Sequence, residues 1–183
     1  EVLRFYAQVA HFQEGVYEKL KRNGTGAMHP DCLEAVFPPL LRLIRRIGPG
    51  ALAAKAEELE RERLKFSDIA LADGPAVLTF FVRVLLQPYM EHRLNGTTPS
   101  AEGSPCTCPA CGEKPQAAVL RGEGDGAKRW LVCSLCSREW EFRRVLCPAC
   151  GEEDHVRLLY IPPLNSSMCD WKSATVAGCT SNR

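Results

Sequence analysis

The sequence predicts an α+β protein: an N-terminal all-α helical bundle, then small ribbon-type modules of short antiparallel strands held by metal. Three observations carry this. Apolar residues recur at three- and four-residue steps through much of residues 1–94. The stretch NGTTPSAEGSP at 95–105 then breaks the pattern with linker composition. Beyond it stand three C-x-x-C pairs, Cys108/Cys111, Cys133/Cys136 and Cys147/Cys150. The expected organisation is a helical domain at 1–94, a linker at 95–105, a first cysteine module at 106–145, and an incomplete second module with an aberrant tail at 146–183.

Composition narrows the class. The chain has 183 residues and a net charge of +1, so no overall electrostatic case exists for nucleic acid or an anionic membrane. Of its ten cysteines, seven fall between residues 106 and 150 at ligand spacing. That clustering fits a reducing cytoplasm better than a disulfide-stapled exterior. No signal peptide and no apolar run of about 18 residues is present, so membrane insertion is not expected. Residue 1 is Glu and the chain opens inside a helical pattern, which reads as a fragment lacking its true start.

The helical half can be followed in order. Residues 1–22 form an amphipathic pattern in Val2, Leu3, Phe5, Tyr6, Val9, Phe12, Val16 and Leu20, stopped by Asn23-Gly24. Asp31 begins a short helix that Pro38-Pro39 should interrupt, with LLRLIRRI resuming from Leu40 to Ile47. Gly48-Pro49-Gly50 is a break, and Ala51 to about Lys65 is helical by composition. Ser67 to Gly74 is a connection or a short helical turn. Ala76 to Leu94 is apolar nearly all round in its first half and belongs inside the bundle. Pro88 should kink it, and His92 near its end should be exposed. His11 is a surface or boundary histidine, and Cys32 a small buried hydrophobe.

The cysteine half has a different rhythm. Gln116–Leu120 and Trp130–Val132 flank a turn-rich Gly122–Gly126 and read as a hairpin between two knuckles. Glu139–Leu146 is a third strand and Val156–Ile161 a fourth. Trp130, Trp140 and Phe142 should form the small core. Two cysteines at i and i+3 across a tight turn can aim both sulfurs at one ion, and two such knuckles make a tetrahedral S4 site for zinc or mononuclear iron. The 21 residues between Cys111 and Cys133 leave room for the hairpin. Cys108/Cys111 with Cys133/Cys136 is the favoured pairing; Cys133/Cys136 with Cys147/Cys150 is the rival. Cys106, two residues before the first knuckle, reads as a spare thiol.

With these residues in view, the chain resembles the FdhE family, the formate dehydrogenase accessory proteins of bacteria. The likeness rests on Leu86-Gln87-Pro88-Tyr89, Cys108-Pro109-Ala110-Cys111-Gly112 with Pro115, Cys133-Ser134-Leu135-Cys136, Trp140, Arg144 and Cys147-x-x-Cys150-Gly151, and covers roughly residues 1–160. The resemblance implies a cytoplasmic protein without catalytic residues, needed to form active formate dehydrogenase. It implies docking of that enzyme's molybdenum-containing catalytic subunit before export. It implies two rubredoxin-like, zinc-ribbon-type modules that bind iron, with zinc an alternative. Cys108, Cys111, Cys133 and Cys136 would supply the first site, and Cys147 and Cys150 half of the second.

The tail departs from that pattern. The family's fourth pair should follow twenty to thirty residues after Cys150, whereas Cys169 and Cys179 lie ten apart without a strand period. Read one base earlier, the codons for MCDWKSATVAGCTSNR can encode HVRLEVCDGCGLYIKS, a knuckle between two strands. The expectation is therefore that residues after about Ile161 are translated in the wrong frame and that Cys169 and Cys179 are not ligands.

Two other functions compete. A nucleic-acid-binding zinc ribbon would cluster basic residues around its knuckles, but Glu113, Glu139, Glu141, Glu152 and Glu153 stand there. A thiol–disulfide enzyme needs an exposed C-x-x-C at a helix N-terminus, unlike these Pro- and Gly-bearing turns. No Ser/His/Asp, P-loop or HExxH constellation suggests an enzyme.

Overall fold

The structure is a computed structural model that describes residues 2–23, 31–70, 74–98, 105–124, 126–149 and 151–153. The chain divides into two compact units, Glu1–Asn95 and Gly96–Arg183. The expected fourth strand, the region of the expected fourth knuckle and the tail expected to be out of frame lie outside the described residues.

In the first unit, α1 (Val2–Asn23) buries Phe5, Val9, Val16 and Leu20 along one stripe, with Phe12 packed beside it. At about 100° per residue Leu3 falls on the far side and Tyr6 at the stripe's edge. Both are exposed, as is Val2 at the helix end, so the buried face is narrower than the sequence pattern suggests. α1 packs on α6 (Ala76–Leu94), where the Gln13 amide donates to the Val84 carbonyl at 3.1 Å and to Gln87 Oε1 at 3.0 Å.

Between them come α2 (Asp31–Glu34), α3 (Phe37–Ile47), α4 (Gly50–Arg61) and α5 (Phe66–Ala70). Pro38 and Pro39 do not interrupt a helix. They open α3, whose first-turn N–H groups have no intrahelical acceptor to lose. Phe37, Leu40, Leu41 and Ile44 bury one side of α3 against α4. α4 stops short of Lys65. Arg63 N–H bonds the Glu60 carbonyl and Leu64 N–H bonds the Leu59 carbonyl, a Schellman closure with Arg63 at φ 55. Glycine is the usual residue there, and a side chain costs on the order of 1 kcal/mol.

α5 is capped from a distance. The Glu34 carboxylate accepts Phe66 N–H at 2.8 Å and Ser67 N–H at 2.7 Å. α6 runs unbroken through the buried Pro88. His92 is not exposed as the sequence suggests: it is 7% accessible, lies edge-on to Tyr17, and its Nε2 has no hydrogen-bond partner. Its position, three residues after the buried Tyr89 and seven after Leu85, keeps it on the inward face. No helix among the described residues is long and apolar enough to cross a membrane.

The second unit contains an antiparallel meander of β1 (Pro115–Glu123), β2 (Gly126–Cys133) and β3 (Glu139–Phe142), in that order. The β1–β2 turn passes through Gly124 at φ 56. Ala118 pairs with Leu131, and Leu131 with Trp140. Directly opposed residues share a face, so this row and Phe142 point to one side, where Leu146 joins them and Cys106 packs. Trp130 belongs to the other row, with Val119 and Glu141. The expectation that it joins the core is therefore corrected to Leu131: one step along a strand changes the face. Trp130 instead lies under the Arg121 guanidinium, 5.6 Å from its ring. β3 ends at Phe142, four residues earlier than the sequence reading.

Candidate metal centre

The first knuckle is a closed turn preceding β1. Cys108 N–H bonds the Glu113 carbonyl at 2.8 Å, and Gly112 N–H returns to the Cys108 carbonyl at 2.8 Å. Gly112 sits at φ 77, a conformation its missing Cβ permits. The Ala110 N–H points at Cys108 Sγ, 3.5 Å away.

The second knuckle begins where β2 ends. Cys133 N–H bonds the Arg138 carbonyl at 2.9 Å, and Leu135 and Cys136 N–H point at Cys133 Sγ at 3.3 and 3.5 Å. Ser137, four residues after Cys133 as Gly112 is after Cys108, takes φ 56. Backbone N–H groups aimed at sulfur favour the thiolate form. Ser134 N–H to the Lys114 carbonyl, at 3.1 Å, ties the two turns together. Neither this bridge nor the strained Ser137 is visible in the cysteine spacing, which shows only that a turn exists.

The hairpin register brings the two turns to the same end of the sheet, since Pro115 pairs with Cys133. The sulfurs of Cys108 and Cys136 are 3.5 Å apart, those of Cys111 and Cys133 3.4 Å, and those of Cys111 and Cys136 3.6 Å. All four lie within 4.8 Å of one another. A disulfide requires about 2.05 Å. Four sulfurs 2.3 Å from a common centre would be about 3.8 Å apart. The set therefore fits one tetrahedrally held ion. Cys108, Cys133 and Cys136 are buried and Cys111 is partly covered.

Cys108, Cys111 and Cys136 are shifted unevenly from an ordinary thiol. Burial pushes the Cys111 thiol up to about 11, against the Glu113 N–H. Burial also raises Cys136, and its three sulfur neighbours add to that. At Cys108, burial acts upward but the N–H groups of Ala110 and Cys111 and the neighbouring sulfurs outweigh it, holding it below an ordinary thiol. Four packed sulfurs are poorly disposed to ionise together without a cation. A divalent or trivalent ion would supply that charge.

Comparison with known proteins agrees with this geometry. Residues 107–144, both knuckles and the whole sheet, match the family model described as FdhE, central domain. A Pseudomonas aeruginosa protein named FdhE homolog is 34% identical over 152 residues, 78% of this chain and 48% of that protein. Over most of its length the chain is similar to that FdhE homolog. A Stutzerimonas stutzeri FdhE homolog is 48% identical over 44 residues, 24% of this chain and 14% of its own. The crystal structure of the FdhE protein from Pseudomonas aeruginosa superposes with a TM-score of 0.61 at 24% identity, covering 88% of this chain and 66% of that one. This likeness shows that the FdhE fold is shared. The chain spans about half the length of the P. aeruginosa relative.

Cys147, in the third knuckle, is not among the four grouped sulfurs. Cys147 begins the hexapeptide CPACGE, identical to that at 108–113. Its backbone repeats the first turn: Cys147 N–H to the Glu152 carbonyl at 2.8 Å, Gly151 N–H to the Cys147 carbonyl at 2.9 Å, and Gly151 at φ 73. Cys150 lies outside the described residues. Arg129, on the inner face of β2, reaches across to Leu146 O at 2.9 Å and Arg144 O at 3.4 Å while its guanidinium stacks on Phe142. It thus anchors the segment leading into Cys147. The sequence reading missed Arg129; the strand alternation that places it beside Leu131 was the available signal.

Proposed function

We propose that this chain is a metal-binding accessory protein, without catalytic residues of its own, that acts in the formation of active formate dehydrogenase by docking its catalytic subunit in the cytoplasm. The observation that carries the reading is a four-cysteine centre built in a stretch that matches the FdhE central domain. Cys108, Cys111, Cys133 and Cys136 hold the first ion, iron in a rubredoxin-type site or zinc, since a tetrathiolate accepts both. Cys147 and Cys150 contribute half of a second site. The ion fixes two turns that a small sheet could not hold alone, and the rigid module then serves as a binding surface.

The charge pattern speaks against the nucleic-acid alternative. Arg121 pairs with Glu139, Lys128 with Glu123 and Glu141, and Arg143 with Glu153 through two hydrogen bonds. Among the described residues these pairs offset three of the cations on and next to the sheet, which weakens the case for a basic track. The test is co-purification from a formate-respiring bacterium, with and without Cys133→Ala. The expected result is recovery of the dehydrogenase catalytic subunit by the parent chain and its loss with the variant. Recovery of RNA in a salt-sensitive complex, without the dehydrogenase, would replace this reading with the alternative.

A further inference from the structure

Asn95 to Pro105 has the composition of a linker, yet Thr97 and Pro105 within it are fastened to the cysteine module. The Arg138 guanidinium holds Thr97 at two points: Nη1 donates to the Thr97 carbonyl at 2.9 Å and Nη2 to Thr97 Oγ1 at 3.3 Å. The Trp140 indole N–H donates to the Pro105 carbonyl at 3.0 Å. All of these residues belong to the second unit.

Arg138 also closes the second knuckle. Standing just beyond Cys136, its carbonyl accepts Cys133 N–H at 2.9 Å. Between Cys136 and Arg138, Ser137 takes φ 56, a left-handed conformation that disfavours any side chain. Holding such a turn closed falls to an ion on the Cys133 and Cys136 sulfurs. The Arg138 backbone is thus set by the metal centre, while its side chain grips a residue 41 positions earlier. A planar guanidinium bonded at two points fixes direction as well as distance.

We propose that Arg138 couples filling of the first metal site to immobilisation of Thr97. With the site filled, the second knuckle is closed and the guanidinium clamps Thr97. With the site empty, the knuckle opens and Thr97 is released. α6 ends at Leu94, so the clamp fixes the point at which the chain leaving that helix is held to the module. The ion is the one that Cys108, Cys111, Cys133 and Cys136 would share, and the coupling rests on that reading of the site. Coupling of this kind is reciprocal: an ion that favours the clamp is favoured by it to the same factor.

The test uses the full chain loaded with zinc, beside Arg138→Ala and Thr97→Val. Zinc content is measured first, then nitrogen-15 relaxation at Thr97. The expected result is about one zinc per chain, and a Thr97 order parameter of about 0.8 in the loaded parent. It should fall below about 0.6 in loaded Arg138→Ala and in the parent stripped by a chelator. Zinc affinity from chelator competition should drop by about fivefold in Arg138→Ala. Thr97→Val removes only the hydroxyl and leaves the knuckle untouched, so it should lower order and affinity in the same direction, by less. The Trp140 indole signal should keep its position in both loaded variants, which separates loss of the clamp from loss of the sheet. Equal order at Thr97 in loaded parent and Arg138→Ala, or an unchanged zinc affinity, would overturn the coupling. So would loss of the Trp140 signal in loaded Arg138→Ala, which would make Arg138 part of the module's own fold. A parent chain that takes up no zinc would overturn the coupling and the four-cysteine site together; one that holds zinc with Thr97 below about 0.6 overturns the coupling alone.

Discussion

Cys108 and Cys136, 28 positions apart in the chain, hold their sulfurs 3.5 Å from each other at the end of the β1–β2 hairpin. The contact exists because Cys133 closes β2 opposite Pro115, four residues after Cys111 closes the first turn. Cys133→Ala should therefore remove about one tightly held ion per chain and unfold the sheet and both turns. The helical unit, with its own core, should keep its secondary structure. Metal analysis of anaerobically purified protein, with amide exchange resolved by unit, measures both. Cys108→Ala should act alike, whereas full metal content in that variant would favour the rival pairing with Cys147/Cys150.

Metal affinity should rise with pH. Burial lifts Cys111 to about 11 and raises Cys136 as well, so these thiols carry protons at neutral pH before metal enters. Binding must expel them, and each proton released makes the apparent affinity roughly tenfold weaker per unit fall in pH. Chelator competition between pH 6 and 8 should show this slope. A flat profile would mean the thiols are already ionised without the ion.

Cys106→Ser should leave metal content unchanged. Cys106 packs beside the Ala118–Leu131 core, and its sulfur is outside the four-sulfur group. A stoichiometry that falls with this variant would make Cys106 a ligand.

Glu34→Ala should destabilise the helical unit by about 1–2 kcal/mol, the usual cost of losing a helix cap. The carboxylate is held below its ordinary 4.5: burial pushes upward, but the Ser67 and Phe66 N–H groups and Lys65 outweigh it. A group lowered by folding stabilises fully above its unfolded value. That stability is lost as pH falls through its folded value, below 4.5. Urea denaturation should thus separate parent from Glu34→Gln at pH 7, with the gap closing under acid. A gap that persists at pH 3 would contradict the cap.

His92→Phe should leave stability unchanged or raise it by up to about 1 kcal/mol. The buried Nε2 has no partner, so its removal relieves an uncompensated polar atom while an aromatic edge against Tyr17 is kept. A loss above about 1 kcal/mol in chemical denaturation would show that the imidazole nitrogen is satisfied in solution.

The sequence by itself determined the local devices. C-x-x-C with Pro and Gly builds a sulfur-bearing turn within six residues, and 21 intervening residues suffice for a hairpin. A three-to-four-residue apolar period marks the helices, and these signals need only near neighbours. Tertiary structure decided what depends on residues far apart in the chain. Register brought Cys108/Cys111 beside Cys133/Cys136 and put Leu131 instead of Trp130 in the core. Packing buried His92 on the inward face of α6. It also recruited Glu34, 32 positions away, to cap Phe66. Except for His92, whose spacing from Leu85 and Tyr89 already places it on the inward face, these turn on hydrogen bonds and contacts between distant segments, which no spacing along the chain encodes.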